Sequence, residues 1–122
     1  MKAGIAVAVA LVGTLASGNA MADGNKLLEN CQQAVKAMDG GKDIEPMAVG
    51  QCFGMVEGVN NTMTILNSGL ESKYRTCFPK GGIENGQAVR IVTKFLQENP
   101  ALLDKPDAYL AMVAYKEAYP CN

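Results

Sequence analysis

The 122-residue chain has no histidine and no tryptophan, and only 6% of its residues are aromatic. Without histidine it lacks the usual general base and the usual metal ligand. No cysteine pair has the C-x-x-C spacing of a zinc site, so no metal centre is expected. No serine sits in G-x-S-x-G or S-x-x-K, and no glycine-rich loop joins a strand to a helix in the phosphate-binding manner. Charge of one sign is also lacking: 11 basic residues face 12 acidic ones, for a net of −1. The signs are interspersed, which gives no reason to expect nucleic acid or an anionic membrane surface as partner. The acidic residues are scattered and often neighbour a lysine, as in Lys42-Asp43 and Lys116-Glu117. No cofactor is implied, and the residues point to a binding protein rather than an enzyme.

What is present begins with a leader. Lys2 is followed by an apolar run of about 14 residues from Ala3 to Ala16, whereas a membrane-spanning helix needs roughly 20. Ser17-Gly18-Asn19 and Ala20-Met21-Ala22 follow. A charged start, an apolar middle and a small-x-small end describe a secretory signal peptide. Residues 1–22 are therefore expected to be removed after Ala22, leaving 23–122 as one domain of about 100 residues. Lys2 is the only charge in the leader, so its loss takes the net from −1 to −2. No cysteine follows the cleavage point, which speaks against a lipid anchor.

All four cysteines, Cys31, Cys52, Cys77 and Cys121, lie in the expected mature part. An even count in a short exported chain reads as two disulfides with three possible pairings. The rest of the chain reads as helices. Leu27, Leu28, Cys31, Val35 and Met38 repeat at three- and four-residue spacing and predict a first helix over 25–38. Asp39-Gly40-Gly41 ends it. Pro46 opens a second helix to Leu66, with Cys52, Val56, Val59 and Met63 on one stripe. A third runs from Glu84 to Asn99 with Ala88, Val92 and Phe95 inward, stopped by Pro100. Asp104 is expected to cap a fourth, with Pro106 in its first turn and Ala108, Ala111, Met112, Tyr115 and Ala118 inward. No sustained alternation suggests a strand. The expected fold is all-α, a compact bundle of about four helices held by two disulfides.

The pairing follows from register. If the first two helices form an antiparallel hairpin around residues 39–45, Cys31 lies seven residues before the turn and Cys52 six after its far end. Both then sit at one height on facing apolar stripes. This favours Cys31–Cys52 and leaves Cys77–Cys121 to tie the following loop to the C-terminus.

Two further features stand out. Gly50, Gly54 and Gly58 recur every four residues within the second helix, where each costs on the order of 1 kcal/mol against alanine. Close approach of another backbone is the usual compensation. Tight packing within one chain is the first expectation, and a contact between two chains is the alternative. The segment from Asn67 to Asn85 is polar, weakly periodic and long for so small a domain, the kind of loop that carries function.

Certain short motifs, taken in order, resemble a known family. They are Gly24-Asn25-Lys26-Leu27-Leu28-Glu29-Asn30-Cys31; Cys52-Phe53-Gly54-Met55-Val56-Glu57-Gly58-Val59; Cys77-Phe78-Pro79; Asn85-Gly86-Gln87-Ala88-Val89-Arg90-Ile91-Val92; Asn99-Pro100 through Leu103 and Pro106; and Ala118-Tyr119-Pro120-Cys121. The set resembles the Rap/Tai family of periplasmic immunity proteins from type VI secretion systems. The resemblance implies a small helical protein, commonly a homodimer, that binds a peptidoglycan-cleaving amidase effector and blocks its cleft. Such an inhibitor needs a rigid scaffold and a projecting segment rather than a catalytic group. The loop supplies the candidate contacts Tyr74, Arg75, Lys80 and Glu84, and the glycines Gly50, Gly54 and Gly58 are the candidate dimer contact. The rival expectation, from a different class, is a small periplasmic acid-stress chaperone that exposes apolar surface as carboxylates protonate.

Overall fold

A computed structural model describes residues 22–122, so all but the last residue of the expected leader lies outside the described part. Four helices follow in order: α1 (Gly24–Met38), α2 (Pro46–Leu66), α3 (Asn85–Glu98) and α4 (Asp107–Ala118). Short 3-10 turns occupy Asn67–Gly69, Ser72–Tyr74 and Pro100–Leu102. Among the described residues there is no strand, only an isolated antiparallel bridge between Asp23 and Pro106. The all-α bundle expected from periodicity is the fold observed.

Local chemistry accounts for the helix ends. The Asp23 side chain accepts from the Lys26 amide and satisfies one of the open donors of α1. At the other end the chain turns through Gly40, whose φ of 75° favours glycine. Pro46 stands in the first turn of α2, where its missing N–H costs nothing. The start of α4 departs from expectation. Asp104 does not cap it; the helix begins at Asp107 with Pro106 in the cap position. The reason is tertiary, because the carbonyls of Leu103 and Lys105 accept from the amides of Asn25 and Gly24. That pairing holds residues 103–106 against the start of α1.

α1 and α2 form the antiparallel hairpin, and α3 and α4 pack across it. The centre is built from Val56, Val89, Val92, Leu96, Leu110 and Tyr115, all fully buried. Each large apolar side chain so buried contributes on the order of 1.5–3 kcal/mol. The inward face of α4 is rotated from the expected one. Leu110 and Ala114 point inward, while Met112 and Ala118 are exposed. Tyr115 donates its hydroxyl to the Val56 carbonyl at 2.7 Å and so joins α4 to the middle of α2.

Both disulfides have the expected pairing. Cys31–Cys52 joins α1 to α2 with Cα atoms 5.0 Å apart, and both residues are wholly buried. Cys77–Cys121 ties the loop to the C-terminus with Cα atoms 5.1 Å apart. No free cysteine is left.

Candidate functional site

Two surfaces are available for binding, and they are built differently. The first is the polar segment between α2 and α3. It leaves α2 through two 3-10 turns and then runs extended to a tight turn at Pro79–Gly82, closed by the Gly82 amide on the Pro79 carbonyl at 2.9 Å. Gly81 and Gly82 have φ of 94° and 80°, a region that disfavours other residues.

Several contacts hold this segment in place. The Asn67 side chain clamps the Thr76 backbone, donating to its carbonyl and accepting from its amide. The Cys77 amide donates to the Tyr119 carbonyl at 2.9 Å, beside the disulfide. Phe78 packs edge-on against Tyr115 at 5.4 Å between ring centres and lies 5.7 Å from Tyr119. Gln87 donates to the Tyr119 hydroxyl at 3.1 Å. The base of the loop is therefore fixed to the core, and the turn beyond Phe78 is exposed. The cleft beside it, of about 700 Å³, has the polar Asn60, Asn61 and Thr64 on one side and the apolar Phe78, Pro79 and Ile83 on the other.

The four candidate contacts fall into two places. Tyr74 and Arg75 lie together before the disulfide. Tyr74 is half exposed, with the Lys73 ammonium 4.8 Å and the Lys116 ammonium 6.0 Å from its ring centre. Arg75 is exposed, and its Nε donates to the Leu70 carbonyl at 2.6 Å. Lys80 sits within the tight turn, exposed, and Glu84 sits at the cap position of α3, its carbonyl accepting from the Ala88 amide while its side chain bonds to no helix amide. Neither Lys80 nor Glu84 forms an ion pair among the described residues. Sequence reasoning missed Lys116. Only its place on α4, brought to residue 73 by the fold, reveals it.

The second surface is the outward face of α2. A Cβ added at Gly50, Gly54 or Gly58 would meet nothing within 4 Å. Tight packing within the chain, the first expectation for these glycines, is thereby overturned: α3 and α4 pack on the valine and cysteine stripe instead. The close approach falls at Gly24, where a Cβ would collide with the Leu110 side chain and stand 2.9 Å from the Leu103 Cα. Gly54 and Gly58 open onto an apolar groove of about 880 Å³, walled by Met55, Val59 and Leu66 of α2 and by Ala108 and Met112 of α4. Asn30 and Gln51 stand at its edge, joined at 3.1 Å, and the buried Asn30 Oδ1 has no hydrogen-bond partner. Met47, Ile65, Leu66 and Met112 are exposed on the same two helices.

A loop fixed at its base and an uncovered apolar groove are binding features. Among the described residues no group of histidine, cysteine, aspartate or glutamate could hold a metal. No helix among them is long and apolar enough to cross a membrane. The model of the Rap1a immunity protein family matches residues 23–121. The chain belongs to the Rap1a immunity protein family. The match spans all four cysteines and all four helices. No curated protein and no solved structure gave a significant match. For this Rap1a protein, family membership implies an immunity role and a cognate effector as partner.

Proposed function

We propose that this Rap1a protein binds and inhibits a peptidoglycan-cleaving amidase effector of a type VI secretion system. It acts in the periplasm, as residues 23–122, after removal of the leader. The observation that carries the reading is the exposed Pro79–Gly82 turn on a base fixed by Cys77–Cys121, Asn67 and Phe78, within an immunity-family scaffold. A segment ordered before binding loses little entropy on entering a cleft, so its contacts go further toward affinity. Lys80 lies within that turn, Glu84 just beyond it, and Tyr74 and Arg75 stand at its base. No catalytic group is needed, because occupying the cleft excludes substrate and water. Family membership favours this reading over the acid-stress chaperone.

The glycine face of α2 is the proposed homodimer contact. Its supports are the open space over Gly54 and Gly58, the exposed Met112 in the groove wall, and the exposed Met47 and Ile65 elsewhere on α2. A second copy seated there would remove that exposed apolar surface from water.

The test is titration of a purified type VI amidase effector with residues 23–122, read by peptidoglycan hydrolysis. Stoichiometric inhibition is expected, with large loss of inhibition when Lys80-Gly81 is deleted. Undiminished hydrolysis at saturating protein would overturn the inhibitor reading. Light scattering decides the dimer: Gly54→Leu with Gly58→Leu should give monomers, and an unchanged mass would remove that face from the proposal.

A further inference from the structure

We propose that Lys73, Tyr74, Arg75 and Lys116 form a carboxylate-recognition patch that docks an acidic region of the effector's surface, with Tyr74 as its apolar anchor. The proposal rests on the effector-inhibition reading above and specifies the chemistry of the partner surface.

Two ammonium groups separated by 43 residues in sequence converge on one exposed ring. Lys73 Nζ lies 4.8 Å and Lys116 Nζ 6.0 Å from the Tyr74 ring centre, and Lys116 also donates to the Lys73 carbonyl. Arg75 follows directly. Its Nε is held by the Leu70 carbonyl at 2.6 Å, which orients the guanidinium and leaves its remaining donors available. Cys77, two residues further on, is fastened to the C-terminus, so the patch sits on anchored backbone.

The charges do not cancel locally. Glu71 pairs with Lys73 at 3.5 Å, but among the described residues neither Arg75 nor Lys116 forms an ion pair, and Glu117 beside Lys116 forms none. Three cations against Glu71 and Glu117 leave a local excess of one positive charge on a chain whose total is −1. Gathering like charges is unfavourable in the free protein; the ring face and a backbone carbonyl offset part of that. A partner bringing carboxylates offsets the rest. Arginine and tyrosine are also the residue types enriched where binding energy concentrates.

The size of the patch selects the class of partner. Anionic-lipid recognition commonly uses clusters of about 4–8 basic residues, and nucleic acid draws on an extended run of phosphate contacts. Three cations around one tyrosine fit a small acidic spot on a folded protein.

Stopped-flow association of a purified type VI amidase effector with residues 23–122, across a salt series, tests this. K73E/R75E/K116E is expected to slow association at least about tenfold at low salt, with the difference closing at high salt as charges are screened. R75K with K116R, which keeps the charge, should retain the fast rate. Circular dichroism and the melting temperature verify that each variant is folded. If the unaltered protein binds but the charge-reversed one associates within about twofold of it, the patch is overturned and the inhibitor reading stands. If the unaltered protein does not bind the effector, both fall. Binding of the unaltered protein to phosphatidylglycerol vesicles, lost in the triple variant, would overturn the choice of a protein partner.

Discussion

The two disulfides sit in opposite surroundings. Cys31–Cys52 is wholly buried between α1 and α2, among Val56, Ala34 and Leu27. Cys77 is exposed and Cys121 only partly covered, at the junction of a polar loop and the chain's last residues. The first bridge reinforces a region that apolar packing already defines. The second stands in for packing where little apolar surface exists. Chain entropy alone ranks them the other way: the separations of 21 and 44 residues correspond to roughly 3 and roughly 4 kcal/mol. The buried bridge gains its advantage from the sulfurs as core atoms, whose removal leaves a void as well as a freer unfolded chain. Rigidity in the hairpin thus serves the fold, whereas rigidity at the loop serves what the loop presents.

The largest expected effect follows from that ranking. C31A/C52A should cost about 4–5 kcal/mol, the entropic loss plus the cavity, and lower the melting temperature by about 20–30 °C. C77A/C121A should cost about 4 kcal/mol, the entropic loss with no cavity added, and weaken effector binding more than its stability loss explains. Calorimetry on both variants decides the order; a C77A/C121A protein that melts lower than C31A/C52A breaks the contrast. Complete reduction should combine the two losses.

The next effect is at Gly24, on the packed side. Gly24→Ala drives a methyl into Leu110 and the Leu103 backbone, and a loss of about 2–3 kcal/mol is expected from overpacking at a position flanked by main chain. Urea denaturation with an unchanged slope measures it, and a loss under 1 kcal/mol would show that residues 103–106 yield easily.

Tyr115 links the two regions, since it bonds to Val56 of the hairpin and packs under Phe78 of the loop. Burial, with a smaller contribution from Tyr119, pushes its hydroxyl above the ordinary value of 10. The unfolded chain therefore releases this proton near pH 10 while the folded chain retains it. Above pH 10 the unfolded state binds fewer protons, so stability falls as pH rises, by up to about 1.4 kcal/mol per pH unit. Tyr115→Phe should lose about 1–2 kcal/mol at neutral pH with its hydrogen bond and flatten the alkaline decline. Equal slopes above pH 10 in both proteins would assign the decline to other groups.

The smallest effect has the opposite sign. Gly54→Ala meets open space on an exposed helix face, so the folded monomer should gain about 1 kcal/mol. A loss at low protein concentration would mean that something already occupies that face.

Much of the bundle was legible because its helices obey a single period. The bounds of α2 and the facing heights of Cys31 and Cys52 follow from counting residues along a 3.6-residue turn. The start of α4 was not legible, because Asp104 is a good cap in isolation and loses to backbone pairing with α1. Nor was the turn of its apolar face, where Ala108, Met112 and Ala118 compete with Leu110 and Ala114 on nearly equal terms. The candidate contacts Tyr74, Arg75, Lys80 and Glu84 were chosen from residue type and loop position, which say nothing of neighbours. Lys116 beside Tyr74 was beyond reach for that reason.

Alone, the order of residues determined that helices form, where most of them stop, and which cysteines meet, since each depends on local conformation or on register across one short turn. The fold decided which glycine is crowded and which are open, which face of α4 is inward, and which charges gather on the loop. Those outcomes depend on how several helices share one interior. A choice that balances all their faces at once cannot be read from any single stretch of chain.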